Sequence, residues 1–151
     1  MSLVYFTDRD LGLRFPDMLT DAGLTVERHR DHFRHDARDE EWLEEVGKRG
    51  WVAITHNSRI RYTPNEKEAV IRHRVRLLIV IGHAPYPDLA RSFVATIPQI
   101  EAFLEAHDPP IIAKVYRGTR AEDSLEVSPG RIELWYPASR TQRGALQSRP
   151  L

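Results

Sequence analysis

The twelve residues VYFTDRDLGLRF, positions 4 to 15, decide how this 151-residue chain is read. Val4, Tyr5, Phe6 and Thr7 are β-branched or aromatic. With Leu3 they form a continuous, largely apolar run of the kind that a parallel sheet buries on both faces. Asp8 and Asp10 follow at once, with Arg9 between them. Taken alone, Asp8 reads either as a turn residue or as a metal ligand at the mouth of a buried strand.

Downstream of this stretch, Leu11, Phe15, Met18, Leu19 and Ala22 recur at helical spacing, Pro16 suits a first turn and Gly23 a stop. Leu24 to Glu27 reads as a second strand and residues 28 to 38 (RHRDHFRHDAR) as polar loop. Asp39 has the form of an N-cap. Glu40 and Glu41 suit a first turn, and Trp42, Leu43 and Val46 supply the apolar stripe of a helix that Gly50 stops. Trp51 to Thr55 is a third strand. Thr63-Pro64-Asn65-Glu66 has the form of a capping box with proline at the first helical position. Val75 to Ile81 is the strongest strand in the chain.

A long helix from about Asp88 to Ala106 carries Leu89, Phe93, Ile97, Ile100 and Leu104, and Pro98 is expected to kink or split it. Ile111 to Tyr116 and Arg131 to Tyr136 read as two more strands, a hairpin joined by a long loop. Residues 138 to 151, with three arginines and no acid, read as a loose tail. Strands alternating with helices imply an α/β fold, a mostly parallel central sheet with helices on both faces. Residues 1 to 117 form the expected domain and 118 to 151 a C-terminal extension.

Lys+Arg and Asp+Glu both number 22, so net charge argues neither for nor against a nucleic-acid partner and only local clustering can. With no cysteine there is no disulfide and no thiolate metal site, which fits a reducing cytoplasm. The first residues lack a basic region followed by an apolar run, so no signal peptide is expected. The longest apolar stretch, Leu77 to Ile81, is far too short to span a bilayer, and no membrane association is expected.

In open parallel sheets, ligands bind beyond the carboxyl ends of the strands. Asp8 follows the first strand directly, Thr55-His56-Asn57 follow the third, and Asp39 and Glu40 open a helix. Three separated pieces of sequence thus supply oxygen ligands to one rim. Carboxylate and amide oxygens suit Mg²⁺ or Mn²⁺, ions that activate water and neutralise phosphate.

On FTDRDLGLRFPDML (6–19), ARDEEWLEEVGKRGWVAITHNSRIRY (37–62) and PNEKEAVIRHRVRLLIVIG (64–82), the chain resembles the PIN-domain ribonucleases, in particular the small PIN-like group related to VapC toxins of bacterial toxin–antitoxin pairs. The resemblance covers about residues 3 to 117. It implies a three-layer PIN-like, Rossmann-like fold and a metal-dependent endoribonuclease with an RNA substrate, and it suggests an antitoxin partner and a homodimer. By it, Asp8 matches the acid after the first strand and Asp39-Glu40 the acid pair opening a middle helix. Thr55 and Asn57 match a Thr-x-Asp motif, with asparagine where the family usually has aspartate. Asp8, Asp39 and Asp10 are then the metal ligands, and Asp8, Asp39, Glu40 and Asn57 the catalytic set. Asp10, where related sequences tend to have asparagine, redistributes the acidic charge.

Each residue also has a plainer reading. Asp39 as a cap, Glu40 as a first-turn acid and Asn57 as a turn residue need no site. Residues 57 to 76 carry six Lys/Arg against two acids, a phosphate-facing patch in a neutral protein. Arg59, Arg61 and Lys67 are its candidate RNA contacts, joined by Arg14, one helical turn past Asp10, whereas Arg72 and Arg74 complement a helix dipole. His29, His32 and His35 are weighed as a zinc site and read instead as a basic loop. Trp42, Trp51 and Trp135 are read as packing. Two rivals remain: a catalytically impaired PIN-like RNA- or protein-binding module, and a flavodoxin-type nucleotide-binding domain, which lacks its glycine-rich phosphate loop.

Overall fold

The computed structural model describes residues 2–118 and 127–137. The expected loose tail, 138 to 151, lies outside the described residues, as does much of the loop before the last strand. Six strands, β1 (Val4–Thr7), β2 (Thr25–Arg28), β3 (Val52–Thr55), β4 (Arg76–Ile81), β5 (Ile111–Tyr116) and β6 (Arg131–Tyr136), form one sheet in the order β2-β1-β3-β4-β5-β6. The first five are parallel and β6 is antiparallel to β5. The helices are α1 (Arg14–Asp21), α2 (His29–His32), α3 (Asp39–Arg49), α4 (Pro64–Arg72) and α5 (Tyr86–Ala106), with 3-10 turns at Arg9–Leu11 and Ser58–Arg61. This is the expected α/β architecture.

Strand alternation divides the core in two. Tyr5, Val52, Ile54, Leu78 and Val80 point to the side covered by Phe15 and Leu19 of α1 and by Leu89, Phe93, Ile100 and Leu104 of α5. Phe6, Ala53, Leu77, Ile79 and Ile112 point to the side covered by Trp42, Leu43 and Val46 of α3 and Ala69 and Val70 of α4. Consecutive strand residues feed opposite layers, which is why these strands read as unbroken apolar runs.

Four local expectations differ from the structure. The N-cap of α3 is Arg38, not Asp39. The Asp39 carboxylate instead accepts a 2.9 Å hydrogen bond from Nε1 of the buried Trp42, an indole that needs an acceptor. The capping box does not close: the Thr63 hydroxyl donates to the Arg59 carbonyl at 3.1 Å. Within the supposed loop 28 to 38, residues His29–His32 make a helical turn because His29 is buried against Phe6 and Trp42. Pro98 does not split α5. It is exposed, while Phe93 and Ile100 on either side are anchored in the core.

Helices α3 and α4 approach closely at Gly47, where a Cβ would stand 2.2 Å from the His73 carbonyl oxygen. Gly47→Ala is therefore expected to destabilise the protein by roughly 1–3 kcal/mol in urea denaturation, although alanine is the better helix former. A variant as stable as the parent would show that the two helices have room to separate.

Candidate active site

Strand order reverses at β1. From β1 the chain crosses to β2 on one side, then returns to β3 on the other. The crevice beyond the carboxyl ends of β1 and β3 is thus the topological switch point, where open parallel sheets bind ligands. The parallel ladder continues one step past β1, with the Asp8 amide donating to the Ile54 carbonyl at 3.0 Å, and this brings Asp8 level with Thr55.

The Thr55 hydroxyl lies 2.9 Å from Oδ2 of Asp8 and 3.1 Å from Oδ2 of Asp10. It also accepts from the Asn57 amide at 3.1 Å. Its one proton serves one carboxylate at a time. The His56 amide donates to both oxygens of Asp10, at 3.2 and 3.1 Å. Asp8 Oδ1 takes the Arg9 amide at 2.7 Å and caps the first 3-10 turn. The turn role of Asp8 is therefore present, and it leaves Oδ2 facing Asp10's partner.

Burial, first, and then the negative charge of Asp10 push the Asp8 carboxyl up to about 7, against the hydrogen bond from Thr55. Asp10 is raised too, by burial, against the bonds from His56 and Thr55. The guanidinium that stands between them in sequence does not relieve them. Arg9 turns away, donating from Nε to Nδ1 of His29 at 2.8 Å and from Nη2 to the Phe33 carbonyl at 2.7 Å. Burial and then the Arg9 charge lower the His29 pKa, which keeps Nδ1 a neutral acceptor. At the rim, His56 Nε2 donates to the Gly82 carbonyl at 2.9 Å, and the Tyr86 hydroxyl donates to the Asp10 carbonyl at 2.6 Å.

Of the residues expected at the site, the structure joins Asp8, Asp10 and Thr55. Asp39, at the first position of α3, raises the pKa of Asp8 and Asp10 through its charge without sharing their hydrogen bonds. Glu40 lies 3.6 Å from Arg38 in an ion pair. Asn57 Oδ1 is taken by the Arg59 amide at 3.1 Å, capping the second 3-10 turn. Arg14 and Arg59 are exposed. Arg61 and Lys67 lie against aromatic rings of β6. The histidine trio is not gathered: His29 is bound to Arg9 and His32 to Glu27.

Two rim residues escaped the sequence reading. Glu66, read as a capping acid, is raised by burial and then by Asp39 and Glu40, and its Oε2 is buried without a partner. Tyr86 was signalled only by its place at the start of the helix after β4. Among the described residues no three His, Asp or Glu side chains close around one point as a ready ion shell. Asp8 and Asp10 nonetheless fit a hard divalent cation by donor type and charge. They are two half-buried, mutually repelling carboxylates, and such ions commonly keep several waters beside one or two protein ligands.

The chain is thus a doubly wound α/β domain with an acid pair at its switch point, the place where such folds bind ligands. The family described as PIN like domain matches residues 3–82, just over half of the chain, and the chain belongs to that family, which is associated with nucleases that are often metal-dependent. Comparisons with curated proteins and with solved structures give no match. Among the described residues no helix is long and apolar enough to cross a membrane.

A carboxyl raised from 3.8 to about 7 makes the folded state bind the extra proton between those values. Its stabilisation is present below about pH 4 and is lost as pH rises through 7. Asp8→Asn has no such proton to lose. In urea denaturation with EDTA, the stability of Asp8→Asn relative to the parent should rise from pH 5 to about pH 7 and level off above it. Taking the difference cancels His29, whose lowered pKa acts in the opposite direction. A flat difference would contradict the buried pair.

Proposed function

We propose that the protein is a divalent-cation-dependent endoribonuclease that cuts single-stranded or looped RNA. The observation that carries this reading is the Asp8–Asp10 pair, half-buried and converging on one hydroxyl at the switch point of a PIN-like domain. Asp8 and Asp10 would hold the ion, and Mg²⁺ or Mn²⁺ bound there supplies an acidified water and positive charge against the phosphate. Thr55 and the His56 amide fix the two carboxylates in orientation. Asp39, Glu40 and Glu66 add negative charge that strengthens cation capture and positions water. Asn57 holds the turn that presents Arg59 to a phosphate. An RNA strand without a duplex suits the open rim because its phosphates are free to enter it. On the resemblance of its sequence motifs to those of VapC toxins rests our further proposal of a cytoplasmic toxin, with an antitoxin as partner and a homodimer as its working form.

One observation favours a second reading, an RNA-binding module impaired in cleavage: the Asn57 oxygen is used by Arg59 and carries no charge. Asn57→Asp separates the two readings. A large gain in cleavage would mark natural impairment, and no change would mean that this position is not limiting.

The test uses a 5′-labelled unstructured RNA with Mn²⁺ or Mg²⁺. Cleavage should require the cation and fall at least about a hundredfold in both Asp8→Asn and Asp10→Asn. Mn²⁺ should also raise the Tm of the parent at pH 8, less at pH 5.5 where protons compete for Asp8, and not that of Asp8→Asn. Cleavage that survives both substitutions, or a parent that neither cleaves nor responds to Mn²⁺, would sink the reading.

A further inference from the structure

Tyr62 stands at the end of the second 3-10 turn with 65% of its surface exposed, more than the other exposed large hydrophobic side chains among the described residues. Its ring is nevertheless held. It meets Trp135 of β6 edge-on, with ring centroids 5.5 Å apart at 85°, and the Arg61 guanidinium lies 4.8 Å from its centroid. Arg61 also lies 5.6 Å from the Trp135 ring. Lys67 Nζ sits 5.2 Å from Trp135 and 5.2 Å from Tyr136.

Among the described residues, neither cation has a carboxylate within 4 Å, and Arg61 Nε and Nη1 are buried without a hydrogen-bond partner. Aromatic faces hold these charges in place without neutralising them. The result is a fixed, open ring in a positive field. It draws on β6, which lies beyond the 3–82 segment that matches the family.

We propose that Tyr62, backed by Trp135, is a stacking platform for a base of single-stranded RNA, with Arg61 and Lys67 drawing the adjoining phosphates. The choice of ligand rests on the ribonuclease reading above. The chemistry matches: every base offers a π-face, and single-strand sites pair aromatic platforms with cationic grooves. A duplex keeps its bases stacked inside and has none to give. Only the turn Ser58–Arg61 separates Asn57 at the rim from Tyr62, so one strand can engage both.

Binding of a fluorescein-labelled 12-nucleotide oligouridine, followed by anisotropy in EDTA, tests this without cleavage. Tyr62→Ala should weaken binding about tenfold or more, and Tyr62→Trp should retain it. Lys67→Gln should weaken it and reduce the salt slope by about one. A duplex of equal length should compete poorly. The proposal is overturned by an absence of binding, by Tyr62→Ala binding like the parent, by failure of Tyr62→Trp to retain affinity, or by equal competition from duplex, which would mean charge alone. Tyr62-dependent binding by a protein that does not cleave in Mn²⁺ keeps the platform and removes the ribonuclease reading. Cleavage without Tyr62-dependent binding does the reverse.

Discussion

The Thr55 hydroxyl has one proton and two carboxylates to serve, and the arrangement around it follows from that shortage. Asp8 and Asp10 are drawn to one point by the parallel pairing of β1 with β3, which sets the ends of both strands level. Burial there penalises their charge, and it outweighs the hydrogen bonds from Thr55, Arg9 and His56 that favour it. Arg9, between them in sequence, would quench the pair if it turned inward. It is held outward by His29 and the Phe33 carbonyl instead. His29 can accept from Arg9 only while neutral, and burial keeps it so. The small helical turn His29–His32, with the Phe33 carbonyl after it, thus holds the Arg9 guanidinium away from the carboxylate pair.

The two-layer core holds this arrangement from both sides. Tyr5 and Phe6, adjacent in β1, enter opposite clusters, so β1 cannot slide without emptying both. Tyr86 fastens the start of α5 to the Asp10 carbonyl, and Gly12 admits the Tyr86 ring, since a Cβ there would stand 3.2 Å from it. Its φ of +70° is open to glycine at little cost. The site-bearing turn between β1 and α1 is therefore pinned from β3 at one end and from α5 at the other.

Much of this was legible in the chain because it is local. Apolar runs and turn residues mark the strands and α3 to within a residue or two, and Asp8 announces itself by following such a run. Reading Asp10 needed the register of β3, a contact 45 residues away, which gave it the Thr55 hydroxyl and the His56 amide. Asp39 misled as a cap because the competing claim on its carboxylate came from a buried indole one turn on. Arg61 and Lys67 read as part of a phosphate patch, and they are cationic as expected. Besides Tyr62 next to Arg61, their aromatic partners come from β6, some seventy residues later, which local pattern does not reveal. Glu66 was hidden because the capping-box pattern accounts for it without any neighbour.

Asn57 takes on a different meaning in this geometry. An aspartate there would have added a third acid beside a pair already short of protons, and every added charge raises the cost of the empty site. With asparagine, the same oxygen still caps the turn through the Arg59 amide, and the negative charge sits instead on Asp10, where the His56 amide and Thr55 hydroxyl receive it. Both acids on the Thr55 hydroxyl therefore come from the turn after β1, and the β3 side of the crevice supplies their donors, the hydroxyl itself and the His56 amide.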